Sequence, residues 1–399
     1  MTAWFNDGMP NREPTISGAH TPLLVSSEED ALFRSAVAGF ARKEIAPRAQ
    51  AMDEAGKLDA DLLRQLFEMG LMGIEIPEEY GGQGGTFTQA LLAIEEIAKA
   101  DPAVAVVVDV QNTLVNFALM QWGTEEQKRR WLPQLAADTL GAFALSEAGA
   151  GSDAFALAAR AVPDGDGFRL TGRKLWITNA AEAGLFLVFA NSNPEAGYRG
   201  ITCFLIGREA AGLQIGRKED KLGIRASSTC ELILDDVRVP ASAVLGQPGQ
   251  GYRIAIETLN VGRIGIAAQM TGLAAAALEH AIEYAKQRKQ FGRPIAEFQA
   301  VRMDLARMAT DLETARLLVY NAARRREAGL DFVKEAAMAK YWASEIAETA
   351  ASRAIEIFGG AGFTRDYPVE KLFRDSKIGR IYEGTTNMQL LTIAKQLLG

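Results

Sequence analysis

Apolar and polar positions along the chain change period twice. From Ser26 the spacing is helical: Ser26-Ser27-Glu28-Glu29-Asp30 offers a hydroxyl cap with acidic first-turn residues, and Leu32, Phe33, Val37 and Phe40 follow as the apolar positions. Pro47 marks a break or kink, and helices are expected at about 58–69, 86–100, 103–121 and 124–135, separated by Gly70, Pro77-Glu78-Glu79-Tyr80-Gly81-Gly82, Asp101-Pro102 and Trp122-Gly123-Thr124. Between about 141 and 250 the period drops to two. Phe168–Thr171, Leu175–Thr178, Leu185–Phe189, Ile201–Ile206 and Thr229–Val239 read as strands, with Pro163-Asp164-Gly165-Asp166-Gly167 as a turn and Gly246–Gly251 as an exit loop. After Tyr252 helical spacing returns. Val301, Leu305, Met308, Leu312, Ala315 and Val319 form one stripe, and further helices are expected at about 331–358, 366–377 and 386–398. Arg324-Arg325-Arg326 reads as a solvated helix C-terminus.

Helices, then strands, then helices is not the alternating order of a doubly wound sheet. The expectation is a multi-domain α+β protein: an arm over 1–27, a helical domain over 28–140, a β domain over 141–250 and a helical bundle over 251–399. Residues 1–27 show neither a signal nor a transit pattern, and no apolar run reads as a membrane span. A net charge of −7 argues against an affinity built on nucleic-acid phosphates. Two cysteines, Cys203 and Cys230, make no disulfide framework, and with His20 and His280 they make no metal-ligand spacing. A soluble protein of a reducing, cytoplasm-like compartment is expected.

The same scarcity leaves little material for triad, thiol or metal catalysis. Gly56-Lys57 lacks the upstream glycine of a phosphate-cradling loop. Gly149-Ala150-Gly151-Ser152-Asp153-Ala154 fits a loose G-x-G-x-x-A pattern but lies outside a βαβ unit, so it reads equally as a ligand loop or a tight turn.

Several such islands occur in one order. Leu145–Asp153, Lys174-Leu175-Trp176-Ile177-Thr178-Asn179, Gln287-Arg288-Lys289-Gln290-Phe291-Gly292, Phe298-Gln299-Ala300, Phe358–Phe363, Pro368-Val369-Glu370-Lys371 and Ile381-Tyr382-Glu383-Gly384-Thr385-Thr386-Asn387 together resemble the acyl-CoA dehydrogenase family over nearly the whole chain. The resemblance implies an N-terminal helical domain, a central β-barrel-like domain and a C-terminal four-helix bundle, assembled as a homotetramer. It implies FAD held by Phe143, Leu145, Ser146, Gly151, Ser152, Trp176, Ile177 and Thr178. Arg288, Phe291, Gln299, Glu356, Gly359, Gly360, Thr385 and Asn387 are further implied flavin contacts, and Arg288, Gln299 and 356–360 would meet the pyrophosphate and adenine end from a neighbouring subunit. Without the resemblance, Trp176 reads as a core aromatic on a strand. An acid at Glu356 would repel pyrophosphate unless only its backbone faced the cofactor.

The implied reaction removes an α-proton from an acyl thioester while a β-hydride leaves to the flavin, giving a trans-2-enoyl-CoA and passing electrons to an electron-transferring flavoprotein. Glu383 matches the family's base, and burial against an acyl chain would raise its pKa. Some relatives carry the base at the position matching Gly262, where glycine cannot serve. The Glu383 N–H would help polarise the thioester oxygen. Ser152, Tyr252, Asn260, Arg263, Tyr382 and Gly384 are the implied substrate contacts, and Asn260 with 262–270 brings the chain nearest the short/branched-chain subgroup. Two rivals share the motifs: an acyl-CoA oxidase using oxygen, and a non-catalytic helical binding protein on the same scaffold.

Overall fold

The computed structural model describes residues 27–399; the expected arm lies, through residue 26, outside them. Ser27 caps α1 (Glu28–Phe40), its hydroxyl accepting from the Asp30 N–H at 3.0 Å. The break expected at Pro47 is a π turn (Ala41–Ile45) followed by a 3₁₀ turn (Ala46–Arg48), leading to α2 (Ala49–Ala55) and α3 (Ala60–Glu68). Reciprocal capping boxes, Thr86 with Gln89 and Thr124 with Gln127, start α4 (Phe87–Ala100) and α7 (Glu125–Ala137). Between them the segment read as one helix is three pieces: α5 (Pro102–Asp109), a wholly buried π segment (Val110–Asn116) and α6 (Phe117–Trp122). Side chains hold that segment. Asn112 donates to the carbonyls of Leu71 and Val108, and Gln111 donates to those of Leu135 and Thr139 while accepting from the Gly141 N–H at 2.7 Å.

Gln111 thereby fixes the start of the sheet: β1 (Gly141–Ala144), β2 (Arg160–Asp164), β3 (Gly167–Thr178), β4 (Leu185–Asn191), β5 (Ile201–Gly207), β6 (Leu213–Lys218), β7 (Thr229–Pro240) and β8 (Val244–Leu245). Its order is β6-β7-β3-β2-β4-β5-β8, with β1 parallel to β4. The two strands expected at 168–171 and 175–178 are one strand, β3, with register shifts against β7 that place Trp176 at an irregularity. Four strands of this sheet escaped the pattern, β1, β2, β6 and β8, each short. Every residue of β4 is buried. Leu185, Leu187 and Phe189 join the helical core, whereas Phe186, Val188 and Ala190 join a second core inside the sheet. A continuous apolar run is what burial on both faces requires.

The C-terminal part comprises α8 (Gly251–Gln287), the β9–β10 hairpin (Lys289–Gln290, Arg293–Pro294), α9 (Gln299–Glu327), α10 (Val333–Phe358), α11 (Val369–Ser376) and α12 (Thr386–Leu398). Two expectations need correction. By length and hydropathy alone Pro102–Trp122 and Gly251–Gln287 qualify as membrane spans, yet 89% and 94% of their apolar windows are buried in protein, so they are core helices here. Nor is the arginine run at the end of α9 uniformly solvated: Arg326 pairs with Glu75 at 2.8 Å and lies over the Phe87 ring at 3.9 Å, and Arg325 pairs with Glu335. Buried ions join the three parts. Lys371 bridges Asp101 and Asp375, Asp375 accepts from the Ile224 N–H, and Arg374 pairs with Asp53.

Candidate active site

Glu383 sits between α11 and α12 with φ of 53°, a left-handed conformation that costs a side-chain-bearing residue free energy, and Gly384 follows at 88°. The turn is held from behind. Gln389 donates to the Glu383 and Gly384 carbonyls at 3.0 and 2.9 Å, and the fully buried Lys340 donates to the Gly384 carbonyl at 2.6 Å. Thr385 caps α12. This support turns the carboxylate inward, where Oε2 is sealed from solvent without a hydrogen-bond partner.

Opposite stands α8. A Cβ on Gly262 would lie 2.7 Å from Glu383 Oε2 and 2.6 Å from Leu114 of the π segment, so the glycine is what admits the carboxylate. The alternative base position and Glu383 therefore face the same space. Burial drives the Glu383 pKa from 4.5 up to about 7, against the pull of Arg263 and Lys340. Lys340 is pushed down to about 7, again by burial, and the Arg263 pKa is lowered for the same reason. Arg263 donates to Asn260 Oδ1 at 2.8 Å. The Tyr382 hydroxyl donates to Gln269, which donates to the Pro102 carbonyl at 2.6 Å. Among the described residues no acceptor takes the Glu383 N–H, which leaves it available as an oxyanion donor.

A second group lies along the sheet. Phe143 packs against Phe189 with centroids 4.8 Å apart. The Leu145 carbonyl accepts from Lys174 Nζ, the Ser146 carbonyl accepts from the Leu175 N–H at 2.9 Å, and Glu147 and Ala150 bridge to each other. Lys174 and Glu147 form a buried pair at 2.6 Å, and Glu147 also accepts from the Ala158 and Ala159 N–H groups. That pair straps the Gly149–Gly151 loop beside Trp176. Both glycines, with Ser152, are exposed, and a Cβ on either glycine would meet nothing within 4 Å. Trp176, at φ 58° and 53% exposed, is not the core aromatic that its strand position alone suggested. Thr178 is half-buried. Ile177, 1% exposed, belongs to the sheet core, so its backbone and not its side chain can meet a ligand. Tyr252, at the start of α8, packs edge-on against Tyr198.

The remaining implied contacts are elsewhere. Tyr284 of α8 stacks on Phe358 of α10 at 3.9 Å, which brings the two helix ends together and groups Arg288 with Gly359 and Gly360. Arg288, Gln299, Gly359 and Gly360 are exposed, and Phe291, at φ 51°, is 94% exposed. The Glu356 carboxylate pairs with Arg353 at 2.7 Å, one turn back on its own helix. From Gly262 to Arg288 the chain runs 26 residues along α8, about 39 Å at 1.5 Å per residue. Glu383 and the Arg288 group are thus not one site in one chain. Asn387 is exposed on α12. Lys340, Gln389, Asp109 and the Glu147–Lys174 pair were not singled out from sequence; only their type, polar residues inside apolar helical or strand runs, could have flagged them.

A helical domain, a sheet and a helical bundle converge on a desolvated carboxylate facing a glycine, beside an exposed glycine loop and an exposed tryptophan; this defines a multi-domain α+β protein with a buried, unpartnered carboxylate at its centre. Three family descriptions match the chain: the acyl-CoA dehydrogenase N-terminal domain over residues 27–139, the middle domain over 142–237 and the C-terminal domain over 249–398. The probable short/branched chain specific acyl-CoA dehydrogenase of Dictyostelium discoideum is 55% identical, covering 94% of this chain and 92% of that protein. Butyryl-CoA dehydrogenase from Megasphaera elsdenii superposes with a TM-score of 0.92 at 41% identity, over 94% of this chain and 99% of that one. A chain from the structure described as the electron-transferring flavoprotein of Acidaminococcus fermentans gives 0.93 at 41%, with 94% and 99% covered. A glutaryl-CoA dehydrogenase from Mycobacterium smegmatis, in complex with FADH2, gives 0.89 at 31%, with 94% and 95% covered. The chain belongs to the acyl-CoA dehydrogenase family and is an oxidoreductase acting on CH–CH bonds.

Proposed function

We propose that this enzyme converts short straight or short branched acyl-CoA thioesters to trans-2-enoyl-CoA, with Glu383 as the base, FAD as its cofactor and an electron-transferring flavoprotein as the acceptor. The observation that carries it is the strained, inward-facing Glu383 with its unpartnered Oε2 opposite Gly262. An ionised Glu383 takes the α-proton onto Oε2. The Glu383 N–H meets the thioester oxygen as charge develops there, and the Arg263 and Lys340 cations favour the ionised base before transfer. Bound FAD would accept the hydride that leaves the β-carbon.

The residues present suit a flavin. Trp176 offers an exposed aromatic face next to Thr178, and the open Gly149–Gly151 loop lets backbone approach a ligand without Cβ obstruction. Ser152 and Tyr252 would line the CoA entrance, with Asn260, Arg263, Tyr382 and Gly384 closer to the base. Because about 39 Å of helix separates Gly262 from Arg288, the group of Arg288, Phe291, Gln299, Gly359 and Gly360 would serve a flavin in a second copy, which supports a homotetramer or another close assembly. Two buried, free thiols suit a reducing, cytoplasm-like setting.

Anaerobic titration with acyl-CoAs of graded length and branching, following flavin absorbance, tests the reading. Bleaching by butyryl-CoA or 2-methylbutyryl-CoA, slow reoxidation in air and loss of bleaching in Glu383→Gln are expected. Rapid peroxide formation would assign an oxidase, and unaltered bleaching in Glu383→Gln would displace the base.

A further inference from the structure

A second carboxyl group stands one turn beyond the base. Asp109, the last residue of α5, is 0% exposed; its Oδ1 accepts from the Thr113 hydroxyl at 2.9 Å, and its Oδ2 is sealed from solvent with no partner. It lies against α8 as Glu383 does. A Cβ on Gly265 would fall on Asp109 Oδ1, just as one on Gly262 would meet Glu383 Oε2. Gly262 and Gly265 are three residues apart, so they share a face and stand about 4.5 Å apart along the helix axis. Thr258 and Gln269 extend that face at spacings of four. Leu114 and Thr113, both from the π segment, close it from the opposite side.

We infer that Asp109 is the floor of the acyl slot and confines the enzyme to short acyl tails, an inference that rests on the acyl-CoA reading above. An acyl chain whose α-carbon faces Glu383 and which runs along α8 away from Thr258 reaches the Asp109 carboxyl within one turn. Gly265 lets that carboxyl lie flush against the helix, and the π segment supplies Thr113 to hold it. One turn further along α8, Gln269 is tied to both Tyr382 and Pro102. A longer alkyl tail would have to press methylenes onto a carboxyl oxygen that has no other partner, and desolvating such a group is unfavourable. Burial, and after it the neighbouring Glu383, raise the Asp109 pKa well above the usual carboxylate range.

The test is calorimetric binding of trans-2-enoyl-CoA products of four, six and eight carbons to the oxidised holoenzyme and its variants, with anaerobic bleaching by the matching acyl-CoAs alongside. Asp109→Ala is expected to raise the eight-to-four-carbon affinity ratio at least about tenfold, since one methylene in a confined pocket is worth that much. Asp109→Asn, equal in shape, should stay close to wild type. Thr113→Val, which frees the carboxyl with little change in volume, should shift the ratio in the same direction as Asp109→Ala and by less, and it stands as the test should the alanine variant not fold. A ratio unmoved in both Asp109→Ala and Thr113→Val, or moved as far in Asp109→Asn as in Asp109→Ala, would overturn the inference. Ratios that shift as expected while butyryl-CoA still bleaches Glu383→Gln would leave the floor standing and remove only the base assignment.

Discussion

The raised pKa of Glu383 predicts a steep pH dependence in the range where an ordinary glutamate gives none. With a value of about 7, roughly one-tenth of the base is ionised at pH 6 and nine-tenths at pH 8, so the rate of flavin reduction by saturating butyryl-CoA should rise about tenfold between them. Removing a facing cation should move this limb. Lys340 is fully buried, its ammonium bonds the Gly384 carbonyl, and its charge favours ionised Glu383. The other groups facing the base are Arg263 on α8, which favours its charge, and Asp109 on α5, whose own pKa is raised well above the usual carboxylate range by burial and by Glu383; the Tyr382 phenol, also raised by burial, lies beside it in sequence. In Lys340→Met the base loses one stabilising charge, and the acid limb should shift toward alkaline pH by about half a unit to one unit. At pH 7 the reduction rate then falls roughly two- to fivefold and recovers by pH 9. Stopped-flow reduction from pH 5.5 to 9, with flavin content checked at each pH, reads both effects. A flat wild-type profile between pH 6 and 8, or a variant whose loss is equal at every pH, would show that burial and Lys340 do not set the base.

The same burial makes Glu383→Gln a stabilising change with a fixed pH signature. A carboxyl raised from 4.5 to about 7 contributes stability below the unfolded value and loses it as pH rises through 7. The corresponding ceiling is roughly 3 kcal/mol, reduced to about 1–2 because part of the residue meets solvent; denaturant melts should show the variant more stable than wild type at pH 8 and the difference shrinking toward pH 5. Lys174→Met leaves Glu147 buried with only backbone donors and should cost about 3 kcal/mol. It should also accelerate flavin release, measured by fluorescence on dilution, because the pair straps the Gly149–Gly151 loop. Finally, Gly262→Glu combined with Glu383→Gly places a carboxylate in the space that Glu383 Oε2 vacates, 2.7 Å from the Gly262 Cβ position, and should restore part of the activity lost in Glu383→Gly alone. Gly262→Glu without the second change should be destabilised by its clash with Leu114 and Glu383.

Where the backbone obeyed a single period, sequence and structure agree. The stripe from Met308 through Leu312 and Ala315 to Val319 is buried, and the strand expected at 185–189 is the strand buried on both faces. The pattern failed where a local rule was broken for a tertiary reason. Periodicity cannot register a π segment, since Val110–Asn116 remains apolar enough to continue a helix while its amides, Gln111 and Asn112, tie neighbouring backbones together. Nor could it register that residues 167–178 are one strand, because the register shift between Leu170 and Gly172 breaks the alternation where the halves join. Arg326 misled for a similar reason: an arginine at a helix end is ordinarily solvated, and only Glu75, Phe87 and Phe117, distant in sequence, draw it inward.

By itself the sequence determined the three-part layout, the family and the candidate base, because each depends on local order: a period of 3.6 or 2, and short motifs whose residue types and succession are legible along the chain. Tertiary structure alone decided what the base can do. That Glu383 turns into a sealed space, that Gly262 faces it, that Lys340 holds the turn from α10 and that Asp109 waits one turn deeper are matters of which side chains meet across helices. Desolvation, which moves Glu383 into the range of useful bases, is a property of the surrounding packing and has no counterpart in the order of residues.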